Sequence, residues 1–410
     1  MSATSSSAHF LIYENIRQCV TMSGVAKDQG RHPTEKGLGV ICDAAVVVNT
    51  ETNLIDWIGV TADLPEKYRS VTQRYISDDG VWLPELVDCH THLVFGGSRE
   101  QDYSLRAQGA TYQSIASQGG GILSTIQQTR QASLEQLIES SSLHLMAFKN
   151  SGVGAIEIKS GYGLTLESEL KMLMAIKQLQ QFSDLIVVPT FLPAHATPPE
   201  YKGKTDLYVD TIVEEWLPKV AEGQWAEFFD VFIEEGFFNV PQASKLCRKA
   251  LDLGFKIKLH SDQFNCLGGT ELGIELGATS IDHLECVSEN SISKLGESET
   301  VAVLMPAASL FTGYGYPPAR KLIDSGARVA LSTDFNPGTS PTRNLPLITT
   351  LACSQLKMTV AEALVAVTYN AAVALGLSHR MGSLEVGKEF RVATFRVPSY
   401  ESIPYRFGEI

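Results

Sequence analysis

Two histidines separated by one residue, in Asp88-Cys89-His90-Thr91-His92, close an apolar run that begins at Trp82. Positions i and i+2 of a β-strand face the same side, so both imidazoles can reach one cation. Alone, H-x-H is a weak signal. Residues of similar chemistry recur after other apolar runs, in Pro193-Ala194-His195, His260-Ser261-Asp262-Gln263, Asp282-His283 and Thr333-Asp334-Phe335-Asn336. His90, His92 and His260 with the carboxylate of Asp334 form an N3O ligand set suited to zinc or iron. A closed structural zinc site is the alternative, but its ligands usually come in close sequence pairs, often cysteines. These four come from three distant segments, which suits a catalytic metal with an exchangeable water. Such a metal lowers the pKa of bound water from about 16 to about 7. Metal-assisted hydrolysis or deamination is the implied chemistry, with Asp334 able to bind metal through one oxygen and take the water's proton on the other. His9, His32, His144 and His379 stand apart and read as surface or core residues.

These groups need a scaffold that brings distant segment ends together. Eight apolar runs fit buried parallel strands: 82–88, 153–158, 185–191, 228–233, 255–259, 278–282, 300–305 and 327–332. Helical patterns lie between them. Leu166, Leu170, Leu173 and Met174 make one apolar stripe, and Thr359-Val360-Ala361-Glu362 is a capping box before a helix running to Leu375, with Gly376 as its stop. Alternating units of this kind predict an α/β fold of the TIM (β/α)8 type, in which active sites sit at the C-terminal strand ends. Five of the nine histidines fall at that rim. A doubly wound open sheet is the alternative, but no G-x-G-x-x-G follows the first strand. Gly119 to Gly121 reads as a flexible loop rather than a phosphate cradle. Residues 1–83 and 379–410 show short β patterning, and together they predict a small β-sandwich satellite beside a barrel at 84–378.

Composition excludes several functions. The chain has 410 residues, 44% of them hydrophobic, and a formal net charge of −13, so nucleic acid and anionic membranes are poor partners. Its seven cysteines include no C-x-x-C pair, which fits a reducing cytoplasm rather than a disulfide scaffold. No stretch approaches the roughly 18 apolar residues of a membrane span, and the Ser-rich N-terminus has no signal-peptide pattern.

The motifs LPELVDCHTHLVFGGSRE, GATY, GGGI, EIKSGYGLTLESELKML, PTFLPAHATP, KLHSDQF, SIDHLE, YPPARKLIDSG, ALSTDFNPGTSPTRNLPL and YNAAVALG resemble the amidohydrolase superfamily. Within it they are similar to the imidazolonepropionases, the ring-opening enzymes of histidine degradation. The likeness covers almost the whole barrel. FGGSRE, EIKSGYGL and DFNPGTSP are its specific parts. It implies one Zn2+ or Fe3+ per subunit on His90, His92, His260 and Asp334, with no carboxylated lysine, so Lys159 reads as structural. It also implies that Arg99 takes the carboxylate of the small-molecule substrate, imidazolone propionate, by a bidentate fork. Tyr162, His195, Gln263, Asn336, Gly338 and Thr339 would line the pocket, and His283 would sit beside the scissile carbonyl. The bland alternatives are a surface ion pair for Arg99, a core cap for Tyr162 and a simple Pro-Gly turn at Gly338 and Thr339.

Two departures from the family matter. Many members carry Glu at the position of Gln263, and an amide cannot serve as general base, so that role falls to Asp334 or His283. The family also continues past the IPYRFG stretch into another strand, which implies a shortened satellite. Homodimers are usual in the family. A heterocycle deaminase or another cyclic amidohydrolase on the same scaffold is the competing activity, and a carboxylate partner for Arg99 separates the two. A metal-binding relative without activity is the third reading, and the complete ligand set together with His283 argues against it.

Overall fold

The computed structural model describes residues 9–77, 80–110 and 119–409. The Ser-rich leader and Thr111-Tyr112 of the GATY motif lie outside them. Among the described residues, fourteen strands form two sheets. In the first, β6 (Leu86–Asp88), β7 (Val153–Lys159), β8 (Ile186–Ala194), β9 (Phe228–Ile233), β10 (Lys256–Ser261), β11 (Ser280–His283), β12 (Val301–Leu304) and β13 (Arg328–Leu331) run parallel in sequence order. Every residue of β7 and β9 is buried, since helices cover the outside and side chains fill the inside.

The first and last strands meet through side chains and rim backbone. Thr91 bridges Phe335, and the His92 amide donates to the Phe335 carbonyl at 2.9 Å. Below that, Asp88 accepts from the hydroxyl of Ser332, from Thr333 Oγ1 at 2.6 Å and from the Thr333 amide at 3.2 Å. The barrel seam is therefore made by the segments that carry His90, His92 and Asp334.

All eight expected strands are present, with one change at the start. The run WLPELVD divides at Glu85: β5 (Val81–Pro84) belongs to the second sheet, and only β6 enters the barrel. Proline has no N–H to extend a ladder, and Glu85 turns away to pair with Arg391 at 2.9 Å. The helix Leu166–Phe182 also differs from its predicted stripe. Leu173 is buried, Leu166 and Leu170 only partly so, and Met174 is exposed; the inward face carries Met172, Ile176 and Leu179. Glu169 rotates that face inward, because its carboxylate accepts from the amides of Gly161, Gly163 and Leu164. The capping box of Thr359 and Glu362 forms as expected, but its helix stops at Ala366 and a second one, Tyr369–Ala374, leads to Gly376 at φ 71°. Gly121 is the N-cap of the helix Ile122–Gln131, and its amide donates to Asp102.

The second sheet uses both chain ends in the order β14 (Val392–Phe395), β5, β1 (Phe10–Val20), β2 (Val40–Asn49), β3 (Leu54–Val60), with β4 (Arg74–Ile76) also on β1. Its strands register as one six-stranded sheet rather than two facing layers. After β14, the described C-terminal tail holds a short helix, Ser402–Tyr405, and no further strand. Asn370 Nδ2 ties the N-terminal segment to the barrel through the carbonyls of Gly30 and Val329. No helix among the described residues is long and apolar enough to cross a membrane.

Asp88→Ala leaves the buried hydroxyl and amide of Thr333 without an acceptor, while Ser332 keeps the His90 carbonyl, and should lower unfolding free energy by on the order of 3 kcal/mol. Urea denaturation of metal-free protein measures this; a change below about 1 kcal/mol would mean that Asp88 does not hold the seam.

Candidate active site

At the C-terminal end of the barrel, ligand-type atoms from four segments converge. Asp334 Oδ1 lies 3.6 Å from His90 Nε2 and 3.7 Å from His92 Nε2, and His92 Nε2 lies 3.4 Å from His260 Nε2. A tetrahedron with bonds of about 2.1 Å has edges of about 3.4 Å, so these spacings fit one first-row metal ion. His90 Nε2 is buried and has no hydrogen-bond partner. A donor atom of His283 also falls within 4.8 Å of those of His90 and His260. A third group, His90, Glu157 and Asp282, is close enough for a metal, but lysine ammonium groups already occupy its carboxylates.

Burial favours the ligand form of the imidazoles. It pushes His260 down to about 3 and holds His90 and His92 well below their usual range, with Lys159 adding to the effect at His90 and His195 at His92. Neutral imidazole is what a metal binds. Burial also raises the Asp334 carboxyl to about 7. The backbone is left-handed at His283 (φ 89°), Leu284 (φ 66°) and Asp334 (φ 52°), a strained conformation that aims these side chains from their strand ends.

Beneath the cluster lies a fully buried ionic network. Asp282 Oδ2 holds His90 Nδ1 at 2.6 Å and Asp230 Oδ2 holds His260 Nδ1 at 3.0 Å, which directs each Nε2 to the centre. Lys159 Nζ reaches Asp230 at 2.8 Å, Glu157 at 3.0 Å and Asp282 at 3.6 Å. Lys258 Nζ reaches the other Glu157 oxygen at 2.9 Å and the Cys89 carbonyl at 2.8 Å. Burial alone would raise Asp230, but the electrostatic attraction and hydrogen bonds of His260 and Lys159 outweigh it and hold the carboxyl far below its usual range. Lys159 points into this network and not at the metal position. Glu157, Asp230 and Lys258 went unassigned in the sequence. Their signal was a charge at an inward position of an apolar strand.

Above the cluster opens a cavity of about 440 Å³. His92, His260, Asp334, His283, Gln263, Arg99, Tyr162, His195, Asn336, Gly338 and Thr339 all line it, while His90 lies below. His195 bonds the Gly161 carbonyl through Nδ1 at 3.1 Å and stacks on His92 with centroids 4.9 Å apart. The three amides bound to Glu169 fix the loop that carries Tyr162. Glu234 fixes the Gln263 loop in the same way, accepting from the amides of Phe264 and Asn265 and from Asn265 Nδ2. His283 Nδ1 faces Glu285 Oε2 at 3.7 Å; burial opposes protonation there, yet Glu285 raises His283 above its usual value. Glu234 and Arg106, a further arginine in the cavity wall, have no motif that marks them in the sequence, and Glu285 closes the SIDHLE motif without a role that the sequence assigns.

The turn after Asp334 is built around Asn336. Its Oδ1 accepts from the amides of Gly338 and Thr339, both at 2.8 Å, and its Nδ2 donates to the Asp334 carbonyl. Those two amides are therefore engaged inside the turn, and an anion here must be met by side chains. Arg99 Nε donates to Asp102 at 2.8 Å, and its Nη1 lies so close over Gly338 that a Cβ there would come within 2.4 Å.

A parallel barrel with a His/Asp cluster at its C-terminal rim defines an amidohydrolase, a superfamily of metal-dependent enzymes, and a family model described as the amidohydrolase family matches residues 249–401. Among solved structures, a triazine hydrolase variant superposes with a TM-score of 0.69 at 16% identity, covering 95% of this chain and 87% of its own, a likeness of fold alone. The imidazolonepropionase of Bdellovibrio bacteriovorus is 44% identical over 401 residues, 97% of this chain and 93% of its own. That of Bacillus velezensis is 46% identical over 400 residues, again 97% and 93%. The chain belongs to the imidazolonepropionase family.

Asp230→Asn keeps an oxygen beside His260 but removes the charge that Lys159 and His260 share. Competition against a chromogenic chelator should show metal affinity falling about 10- to 100-fold. Affinity within about threefold of the parent would mean that the network does not tune the ligands.

Proposed function

We propose that the chain hydrolyses 4-imidazolone-5-propanoate to N-formimino-L-glutamate, the ring-opening step in histidine degradation. The observation that carries this reading is one cavity with His92, His260 and Asp334 at its floor, His90 just beneath them, and Arg99 in its wall. The sequence likeness to imidazolonepropionases over nearly the whole chain supports it. His90, His92, His260 and Asp334 would hold one Zn2+ or Fe3+ per subunit, which would supply polarisation of the ring carbonyl and a water acidic enough to act as nucleophile near neutral pH.

The protein's side chains do the rest. Arg99 grips the propanoate with its terminal nitrogens, next to Asn336, Gly338 and Thr339. Tyr162 and His195 flank the ring. Gln263 hydrogen-bonds the ring and carries no proton. Asp334 takes the proton of the attacking water and returns it to the ring nitrogen as the C–N bond breaks and the carbonyl carbon becomes a carboxylate. His283, oriented by Glu285, donates to the carbonyl oxygen as negative charge develops there. Residues 84–378 form the catalytic domain and residues 1–83 with 379–410 the satellite, in a cytoplasmic homodimer.

Chelation should abolish turnover of imidazolone propanoate, and added zinc or iron should restore it, with formiminoglutamate as product; a metal-replete protein that leaves the substrate intact would overturn the reading. Gly338→Ala should displace the Arg99 guanidinium and raise KM about 10- to 150-fold, with kcat much less affected, as expected for losing a charge-assisted bond to a non-reacting group. An equal fall in kcat at constant KM would place Arg99 elsewhere in the reaction.

A further inference from the structure

We propose that Arg106 is a second guanidinium of the substrate-carboxylate site, a specificity-determining residue that selects anionic substrates together with Arg99. The inference rests on the function proposed above. Arg99 immediately precedes the helix Glu100–Ala107, and Arg106 follows it by seven residues, two turns, so both side chains leave the same face. They converge on one residue of the rim. Arg106 Nη2 lies 3.4 Å from the Gly338 carbonyl oxygen, and Arg99 Nη1 packs over the Cα of the same glycine. Both arginines line the cavity above the histidines.

Their charges are unevenly compensated. Asp102 accepts from Arg99 Nε and also from the Gly121 amide. Arg106 has no carboxylate partner among the described residues, and the nearby stretch 111–118 contains no acidic residue. What holds Arg106 is aromatic. Its guanidinium lies 5.0 Å from the Phe311 ring and 5.9 Å from that of Tyr103, and these two rings stack on each other at 5.0 Å. Aromatic faces orient a guanidinium without neutralising it, so its N–H edge stays available to an anion. Two guanidinium groups and one carboxylate therefore leave one positive charge at the mouth of a cavity in a chain whose net charge is −13. That excess suits the carboxylate of an incoming substrate.

A purely structural Arg106 would brace the rim and affect every substrate alike. The test compares the metal-loaded full-length enzyme with its Arg106→Gln and Arg106→Lys variants on imidazolone propanoate and on its neutral propanamide. Arg106→Gln should lower the ratio of kcat/KM for propanoate over propanamide by about tenfold or more, with the loss in KM and a weaker dependence on salt. Arg106→Lys should recover part of the ratio. A parallel loss on both substrates, or an unchanged ratio, would overturn the proposal. If the parent enzyme does not turn over imidazolone propanoate, the proposed function fails by itself. Calorimetry with imidazole propanoate and imidazole propanamide then decides on Arg106: Arg106→Gln should weaken only the propanoate, and equal effects on both ligands would overturn the proposal.

Discussion

Inside a dry barrel, a neutral imidazole is aimed by whatever takes its remaining nitrogen. For His90 and His260 that is a buried carboxylate, Asp282 and Asp230. Carboxylates without water are costly unless they are paired, and Lys159 and Lys258 supply the pairing. The network sets Glu157, Asp230 and Asp282 against two lysines, which leaves one net negative charge directly beneath the donors. A cation above completes the balance. The barrel interior is the one place in the fold where five strands can deliver these residues to a common layer, so metal geometry and barrel packing are a single problem here.

The opposite end of the cavity obeys a different rule. Its residues sit on turns and short helices after the strands, and they are held by local hydrogen bonds: Glu169 for the Tyr162 loop, Glu234 for the Gln263 loop, Asn336 for the turn beside Arg99. Each brace satisfies backbone donors that would otherwise be idle, and each leaves the ligand-facing side chains free. Because Asn336 consumes the turn's amides, recognition of an anion passes to the arginines. A strongly acidic protein thus attracts an acidic substrate by local charge, while its global charge acts at longer range and is screened by salt.

Much of this was legible in the sequence. The positions of His90, His92, His195, His260 and His283 after apolar runs locate the rim, because strand ends and histidines coincide there. The boundary within WLPELVD was not legible, since hydrophobicity cannot tell which of two sheets a strand joins; the paired Glu85 decides it. The inward turn of the helix at Leu166–Phe182 was hidden for a similar reason, as Glu169 reads as a solvent residue until its three amide donors are seen. Asp230 within FFDVFI and Lys258 within KIKL looked like interruptions of apolar strands. In three dimensions they are the reason the histidines are aimed.

The proposed chemistry depends on this barrel rim binding one catalytic metal between His90, His92, His260 and Asp334. An anomalous-scattering map of crystals of the metal-loaded protein tests it most directly. One peak per chain is expected, about 2.1 Å from the three Nε2 atoms and from an oxygen of Asp334. A peak at the Glu157 and Asp282 carboxylates, or none at the rim, would contradict it.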